Sequence, residues 1–242
     1  MEIKDFKNRY SGGIGFAIGA GPSLYDLDVD LIKEHVCITV NSGIVKYPEC
    51  DAFVSDDLDI KSWSYYRDIV KKSSCIKFLY KDKFQNECND LKNVVLYPKR
   101  WWFSPEDKSY NYEGLKLTKN GPMIGGINSM SSAINILFLM GCNPIVLLGN
   151  DCKLSTNHKR YFFQDWPIEK QPFRISGYKF DSRNQNRGFN KKSLTKYWNK
   201  FAEVNRKIIG KEVEIIDCSD SDLRCFPKMH LQEIIDKYGS GK

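Results

Sequence analysis

The first residues with a chemical use lie between Ile14 and Leu24, where a short apolar run breaks into a glycine-rich turn. Gly19 and Gly21 let a ligand approach the main chain closely. Pro22 suits a first helical turn, and Ser23 can cap the free N–H groups of that turn. Because a helix start attracts phosphate, the turn is predicted to bind a nucleotide. The alternative is a plain connection between a strand and a helix.

Polar side chains follow the next two predicted strands. Asn41 comes after one of them, and Asp56, Asp57 and Asp59 come after the other. In an open parallel sheet the ligand crevice lies beyond the carboxyl ends of the strands, so these residues should join the glycine turn on one rim. Asn41 is predicted to hydrogen-bond a base or ribose, and Asp56 to contact the nucleotide. The three aspartates either hold a divalent cation through oxygen ligands or cap a turn.

A third polar group surrounds a predicted helix and the fully apolar strand after it. Asn128 and Ser129 at the helix start offer hydrogen-bond donors to a second part of a nucleotide. Asp151 follows the strand, where catalytic or metal-binding carboxylates are often placed. If a metal binds, the predicted ligands are Asp56, Asp57 and Asp151.

The elements that must position these residues alternate between strand and helix signals, which is typical of an α/β fold. The 242 residues, 41% hydrophobic and 28% charged, suit a single domain over 1–242. We predict one Rossmann-like open, mostly parallel sheet with helices on both faces and a long polar loop or lid region. The predicted strands cover residues 14–18, 36–40, 51–54, 75–80, 94–97, 144–148 and 213–216, and the predicted helices cover 24–34, 60–72, 130–140, 193–209 and 231–238.

Two long segments have little regular periodicity. Residues 98–123 include Trp101 and Trp102 and are predicted either to form a binding loop whose rings stack on a sugar or base, or to pack over the sheet edge. The loop and helix over 152–211 are basic. Between Lys153 and Lys211 lie 15 Lys and Arg against 4 Asp and Glu, in a chain of net charge +7. This surface suits a nucleotide diphosphate, DNA or an anionic glycan, or is a solvated face.

The composition argues against several other classes of protein. The eight cysteines form no C-x-x-C pair and only three histidines are present, so neither a zinc site nor a histidine-based metal site is expected. No apolar run reaches the roughly 20 residues of a membrane span. The first ten residues carry no signal-peptide core. A cytoplasmic location is therefore expected.

Four motifs together resemble a known group of proteins. They are the turn from Gly19 to Leu24, the strand ending in Asn41, the helix start Gly126-Ile127-Asn128-Ser129, and the segment from Gly141 to Asp151. The combination resembles the DUF115/MptE-like superfamily. It is also similar to the bacterial family 42 sialyltransferases, which share an N-G-P-S-L turn, an I-T-S-G helix start and a strand ending in S-G-I-D. The resemblance covers about residues 14–163 and 213–231 and is strongest with small phage-encoded members, which would act in the host cytoplasm.

This resemblance implies a glycosyltransferase that uses a nucleotide-linked sugar. In the sialyltransferases the glycine turn, the strand-end Asn and the helix-start Ser hold a CMP-sugar, and a histidine acts as base. The implied nucleotide-binding residues are Gly19, Gly21, Ser23, Asn41, Asn128 and Ser129. The chain departs from the pattern at Met130, where the family has Gly, and at Asn150, where a hydrophobic residue is usual. The donor is therefore expected to be UDP- or CMP-linked, without a commitment to sialic acid.

Glycosyl transfer needs a base for the acceptor hydroxyl and a group that stabilises the leaving phosphate. His158 is the predicted base because imidazole exchanges protons near neutral pH. Asp151 is the alternate, and a structural or surface role for His158 stays open. Lys159, Arg160 and Tyr161 are the predicted phosphate- or acceptor-binding residues.

The acceptor is expected to be a glycan or, given the basic segment and the phage likeness, a hydroxymethylated base in DNA. Two other functions stay open. Diphosphate transfer to a pterin-like alcohol, as in MptE-like members, would need Mg²⁺ held by carboxylates. A non-catalytic nucleotide-binding protein would need neither a base nor a metal.

Overall fold

The computed structural model describes residues 1–100, 103–104, 109–124, 128–154, 157–175 and 191–239. Trp101, Trp102, the Gly126-Ile127 part of the helix-start motif and residues 176–190 of the basic segment lie outside the described residues. Within these ranges the strands, in chain order, are β1 (Gly15–Ile18), β2 (Val36–Val40), β3 (Ala52–Ser55), β4 (Ile76–Tyr80), β5 (Val94–Tyr97), β6 (Phe103–Ser104), β7 (Ser109–Tyr110), β8 (Ile145–Leu148) and β9 (Ile215–Asp217).

Seven of these strands form one parallel sheet in the spatial order β5-β4-β3-β2-β1-β8-β9, and β6 pairs with β7 as a short antiparallel ribbon. The register pairs Ile18 of β1 with Thr39 of β2 and with Leu148 of β8. β1, β2, β3 and β8 are buried along their whole length, as expected where both faces of a parallel sheet are covered. The predicted α/β fold with an open parallel sheet is confirmed.

The α-helices of the described ranges are α1 (Lys81–Phe84), α2 (Ser129–Leu139), α3 (Lys191–Val204) and α4 (Leu231–Tyr238). α2 and α4 agree with the predicted helices to within one residue at each end. α3 ends at Val204, earlier than the predicted end at 209. Among the described residues no helix is both long enough and apolar enough to cross a membrane.

The helices predicted over 24–34 and 60–72 are wrong in type. These regions contain the 3-10 helices Pro22–Leu24, Val29–Ile32 and Leu58–Ser62 and one π-helical turn, Tyr66–Val70. Asp28 and Asp57 explain two of the starts, because each side chain accepts a hydrogen bond from the N–H two residues later, at 3.0 and 3.1 Å. Trp63 then adopts an extended conformation that ends the third helix.

Apolar side chains form one core on each face of the sheet. The first core contains α2 and α3, and Trp198 and Phe201 of α3 contact Phe226 at ring-centroid distances of 5.8 and 6.2 Å. The second core lies around Phe16 and Phe53 and includes residues of α4 and of the short 3-10 helices. Because all eleven residues of α2 are buried, this helix is fixed in the first core.

The segment predicted as an irregular loop, 98–123, contributes to the first core within its described part. Leu115, Leu117 and Met123 are buried. The Asn205 side chain accepts a hydrogen bond from the Leu117 N–H at 2.7 Å and donates one to the Leu115 carbonyl at 2.9 Å. These contacts support the packing alternative for this part of the segment, and the stacking of its tryptophans on a ligand stays a prediction.

The order of the strands reverses between β1 and β8. The chain builds outward from β1 to β5 on one side of the sheet and then crosses to β8 and β9 on the other. Open α/β sheets bind ligands at such a reversal, beyond the carboxyl ends of the strands. α2 lies in the connection that crosses to β8. The hydroxyl of its first residue, Ser129, accepts a hydrogen bond from the N–H of Asp56, which follows β3. The start of α2 therefore reaches the edge where a ligand is expected.

Candidate functional site

A cavity of about 580 Å³ opens at the carboxyl ends of the strands, around the β1–β8 reversal. Its walls come from residues that follow β1, β2, β3, β5 and β8 and from the start of α2. The structure brings most of the sequence-predicted site residues together here. Those that line the cavity are Gly19, Gly21, Asn41, Asp56, Asp57, Asp59, Asn128, Ser129, Asp151, Arg160 and Tyr161.

Main chain forms the floor of the cavity. The Gly19 and Gly21 N–H groups donate to the carbonyl oxygens of Leu148 at 2.7 Å and Gly149 at 2.9 Å, which joins the turn after β1 to the end of β8. A Cβ atom on Gly21 would lie 2.6 Å from the carboxyl carbon of Asp151. Glycine is therefore required at this close approach, and peptide groups rather than side chains face the cavity.

Asp151 is buried at the edge of the cavity and is held by Ser23. Its two carboxylate oxygens accept hydrogen bonds from the Ser23 N–H at 2.8 Å and from the Ser23 hydroxyl at 2.5 Å. Burial raises the pKa of Asp151, and the Ser23 hydrogen bonds oppose this rise. The pair fastens the glycine turn to the end of β8. The predicted base and metal roles of Asp151 and the predicted nucleotide contact of Ser23 stay predictions.

Asp56 follows β3 and is enclosed by donors from the protein. One carboxylate oxygen accepts from the Tyr97 hydroxyl at 2.5 Å, and the other accepts from the Lys99 ammonium at 2.6 Å and the Ser132 hydroxyl at 2.9 Å. The Asp56 N–H donates to the Ser129 hydroxyl at 3.0 Å. Burial raises the pKa of Tyr97 far above its ordinary value, so the phenol keeps its proton and donates. This network links β3, β5 and the start of α2.

The other two aspartates of the predicted cation site have separate partners. Asp57 accepts a hydrogen bond from the Asp59 N–H at 3.1 Å. Asp59 binds two guanidinium nitrogens of Arg174 at 3.0 and 3.1 Å. Among the residues that the structure describes, no group of three or more His, Cys, Asp or Glu side chains is arranged to hold a metal ion. The contacts of Asp57 and Asp59 support the turn-capping alternative, and the metal role of Asp56, Asp57 and Asp151 stays a prediction.

Two buried amide atoms at the cavity lack partners within the described ranges. Asn41 follows β2 with a φ of 51°, which asparagine tolerates better than most residues, and its Oδ1 is buried without a hydrogen-bond partner. The Nδ2 atom of Asn150, two residues after β8, is likewise buried without a hydrogen-bond partner. Because buried polar groups of native proteins are nearly always paired, these two atoms indicate a polar ligand.

The start of α2 is the other predicted contact for a nucleotide. The Asn128 side chain caps the helix by accepting from the Ser131 N–H at 3.1 Å. The Ser129 hydroxyl accepts from the Asp56 N–H, so it is held in place at the cavity wall. Both residues line the cavity, and their nucleotide contacts stay predictions.

Two arginines of the cavity lie over aromatic rings. The Arg160 guanidinium is 5.2 Å from the ring centroid of Tyr161, and that of Arg174 is 4.8 Å from the ring centroid of Trp63. Tyr161 also stacks on Phe163 with centroids 5.1 Å apart. The rings of Tyr161 and Trp63 therefore each contact a guanidinium group, and the Tyr161 ring also stacks on Phe163. Such contacts hold both guanidinium groups at the cavity. Arg174 is also paired with Asp59, whereas Arg160 forms no salt bridge with a described residue.

Several lining residues were missed from the sequence. They are Trp63, Tyr65, Lys83, Lys99, Asn150 and Arg174. Lys99 comes two positions after β5, so the strand-end argument that found Asp56 would also have found it. Arg174 reaches the cavity through an isolated bridge to Trp63, for which the sequence carries no signal.

His158 and Lys159 do not line the cavity. His158 is exposed and has a positive φ of 57°, and Lys159 forms an ion pair with Asp165. The next two residues, Arg160 and Tyr161, do line the cavity. The base role of His158 and the phosphate role of Lys159 stay predictions.

Comparisons with known proteins give a likeness of fold. No protein-family model and no curated protein matches this chain. The chain is similar to the MAf glycosyltransferase from Magnetospirillum magneticum AMB-1, with a TM-score of 0.53 and 11% identity over 95% of this chain and 37% of that one. It therefore spans little more than a third of that protein's length. A weaker likeness, with a TM-score of 0.45 and 11% identity over 85% of this chain and 80% of the other, is to the sialyltransferase CstII from Campylobacter jejuni.

The first likeness shows a shared fold, and the second is too distant to carry an argument. Membership of the DUF115/MptE-like superfamily and the relation to phage proteins stay predictions.

Proposed function

We propose that this chain is a glycosyltransferase that uses a nucleotide-linked sugar. The observation that carries the proposal is the cavity at the β1–β8 reversal, which combines a main-chain floor, the unpartnered Asn41 oxygen and two arginines held over aromatic rings. The start of α2 at the cavity wall suits a phosphate-bearing ligand, because the N-terminus of a helix attracts anions. A buried amide oxygen suits a base or ribose, and cations suit a leaving phosphate.

Arg160 and Lys83 are the proposed partners of the leaving phosphate. Within the described ranges neither forms a salt bridge, whereas the other three cavity cations, Lys99, Lys153 and Arg174, each pair with an aspartate. A cation without a carboxylate partner interacts most strongly with negative charge that develops on a leaving group. Replacing Arg160 should therefore slow transfer more than it weakens binding of the intact donor.

We propose Asp57 as a further candidate for the base, beside His158 and its alternate Asp151. In the proposed reaction the acceptor oxygen bonds to the anomeric carbon, the bond from that carbon to the phosphate oxygen breaks, and the base takes the hydroxyl proton. Asp57 is exposed, lines the cavity and forms no salt bridge with a described residue. His158 is the base predicted from the sequence, two residues before Arg160. Comparing Asp57→Asn with His158→Ala in the same transfer assay assigns the role.

Diphosphate transfer to a pterin-like alcohol is the alternative enzyme function. It needs Mg²⁺ held by carboxylates. Asp56, Asp59 and Asp151, which line the cavity, are engaged by hydrogen bonds or ion pairs from the protein. Their contacts favour the glycosyltransferase proposal. A non-catalytic nucleotide-binding protein would bind the same ligands without turnover.

For the acceptor we propose a hydroxyl group on a glycan or on a hydroxymethylated DNA base, the latter for a phage-encoded enzyme in the host cytoplasm. Exposed Lys196, Arg206 and Lys207 on or just after α3 support the DNA branch, and Lys191 and Lys192 begin the same helix. Phosphate contacts of this kind give an affinity that falls steeply with salt. No detectable affinity for duplex DNA at low salt would remove this branch.

Titration of the purified protein with UDP-sugars, CMP-sugars and ATP, each with and without Mg²⁺, tests the proposed function. We expect a nucleotide-sugar to bind and to raise the melting temperature. Preferential, Mg²⁺-dependent binding of ATP would favour diphosphate transfer, and no response to any nucleotide would contradict the proposal. Mass spectrometry of nucleosides from DNA co-expressed with this protein and a base-hydroxymethylating enzyme then tests the acceptor, since DNA glycosylation adds the mass of one sugar.

A further inference from the structure

A buried asparagine after β8 has an amide nitrogen that no described protein atom satisfies. Asn150 is 8% exposed and lines the cavity. Its main-chain N–H donates to the Ser219 hydroxyl at 2.8 Å, and its Oδ1 lies 3.7 Å from the Cys152 sulfur, a weak donor. Its Nδ2 atom has no hydrogen-bond partner within the described ranges. The main chain and one end of the amide are thus held, and the NH₂ end is left for a ligand.

The protein would be more stable without this unpaired donor. A buried donor that gives up water without gaining a partner is unfavourable, whereas a leucine at this position would fill a similar volume without that loss. The nearest side chain does not compensate, because burial raises the pKa of the Cys152 thiol to about 12 and the sulfur keeps its proton at neutral pH. A polar residue retained at a loss of stability indicates a function.

The charges near Asn150 disfavour a phosphate as its partner. Asp151 is the next residue, and its pKa is raised mainly by burial and further by the negative charges of Asp220 and Asp217. Of these three carboxylates only Asp151 lines the cavity, and Asp220 and Asp217 pair with Lys153 and Lys228. The Asp151 carboxylate next to Asn150 disfavours an anion as the partner of Nδ2. The complement of an unpaired NH₂ group in these surroundings is a neutral oxygen acceptor.

Asn41 lies on the other side of the cavity floor. β2 and β8 flank β1 in the sheet, so with neighbouring strands about 4.8 Å apart their ends are separated by about 10 Å. Between them, the turn at Gly19 and Gly21 presents main chain. A planar ring placed between these strand ends has one of the two asparagines on each side. A nucleobase has these dimensions and polar atoms on its edge.

We propose that Asn150 donates a hydrogen bond from Nδ2 to a carbonyl oxygen of the nucleobase and so determines which nucleotide the cavity accepts. This proposal rests on the proposed function, because it takes the nucleotide of the sugar donor to lie in the cavity. Uracil and cytosine carry a ring carbonyl, whereas adenine carries none. The chain should therefore prefer pyrimidine nucleotides to adenine nucleotides.

The test is calorimetric titration with UMP, CMP, AMP and ribose 5-phosphate, which lacks a base. Wild-type protein should bind UMP or CMP at least tenfold more tightly than AMP. Asn150→Leu and the isosteric Asn150→Asp should each lower this affinity by roughly 5- to 30-fold, the loss of one buried hydrogen bond. Ribose 5-phosphate should bind wild type and Asn150→Leu equally, whereas Asn150→Asp adds a negative charge and is compared for base preference only. Asn150→Leu should also keep or raise the melting temperature, whereas a structural role would lower it.

Asn135→Leu is the matched control. Asn135 is also buried and has an unpartnered amide oxygen within the described ranges, but it lies in α2 and does not line the cavity, so nucleotide affinities should not change. Unchanged UMP and CMP affinities in both Asn150 variants would overturn the proposal. An equal loss of ribose 5-phosphate binding would overturn it too, because Asn150 would then contact ribose or phosphate. A wild-type protein that binds no nucleotide would instead overturn the proposed function, before any variant is made.

Discussion

Replacing Asp56 tests the framework of the cavity most directly. Asp56→Ala removes a side chain that is 12% exposed and takes the carboxylate counter-charge from the ammonium of Lys99, whose side chain is 7% exposed. Breaking a buried ion pair from one side costs about 3–5 kcal/mol. The hydroxyls of Tyr97 and Ser132 also lose their acceptor, but the adjoining cavity lets water replace it. We therefore expect a loss of about 3–5 kcal/mol, out of the ~5–15 kcal/mol typical of a domain.

Urea denaturation followed by circular dichroism measures this loss. The double variant Asp56→Ala/Lys99→Met removes both charges and should recover at least ~1 kcal/mol relative to Asp56→Ala, because the two residues interact directly. Asp68→Ala is the matched control: it breaks the exposed Arg67–Asp68 pair and should change stability by about 0–1 kcal/mol. A loss below ~1 kcal/mol for Asp56→Ala, or no recovery in the double variant, would refute the reasoning.

The same residue separates a scaffold role from a ligand role. Asp56→Asn keeps an oxygen acceptor for the Tyr97 hydroxyl but removes the negative charge. If Asp56 only fixes the start of α2, the folded fraction of this variant should bind nucleotides with nearly wild-type affinity, in the presence or absence of Mg²⁺. A folded variant that has lost Mg²⁺-dependent binding would support the metal prediction made from the sequence.

Three further predictions concern the floor and rim of the cavity. Ser23→Ala should lower the free energy of unfolding by about 1.5–3 kcal/mol at pH 7 and by less below pH ~4. Because the folded-state pKa of Asp151 is already raised, the native state binds more protons than the unfolded state and loses stability as the pH rises above the ordinary Asp range. Equal losses of unfolding free energy in urea melts at both pH values would contradict the prediction. Gly43→Ala sets a Cβ atom against two main-chain carbonyl oxygens at the end of β1 and should lower the unfolding free energy by about 1–3 kcal/mol, so an unchanged urea midpoint would be inconsistent with the packing there. His158→Ala is expected to lower turnover roughly 10²–10⁴-fold with little change in nucleotide affinity, and Asn41→Ala to weaken nucleotide binding more than it slows transfer. Near-normal turnover of the histidine variant would move the base role to Asp151 or Asp57.

The strands and the ligand edge could be predicted because their signals are local. A parallel strand covered on both faces is a short apolar run, and β1, β2, β3 and β8 are such runs followed by glycine or polar residues. Once the strands are known, topology brings their carboxyl ends to one edge. Asn41, Asp56 and Asp151 were therefore placed at the cavity from their positions in the chain alone.

The remaining features depend on contacts that the sequence does not display. Apolar spacing over 24–34 and 60–72 suits an α-helix and successive short 3-10 turns equally well, and aspartate capping selects the latter. The partners of Asp56 lie 41, 43 and 76 residues away along the chain. Asn150 stood out from the sequence as an unusual residue, but only the three-dimensional structure shows that its amide nitrogen has no partner among the described residues.

The main-chain floor of the cavity has an evolutionary consequence. Because Gly19, Gly21 and Gly149 offer peptide groups, the floor can support many ligands, and discrimination among them falls to the side chains of the walls. Substitutions at wall positions such as Asn41 and Asn150 can therefore redirect the cavity to a new ligand while the supporting backbone stays the same. A library that randomises the walls and keeps the glycines should retain folded members with altered preferences. A library that randomises the glycines should retain few folded members.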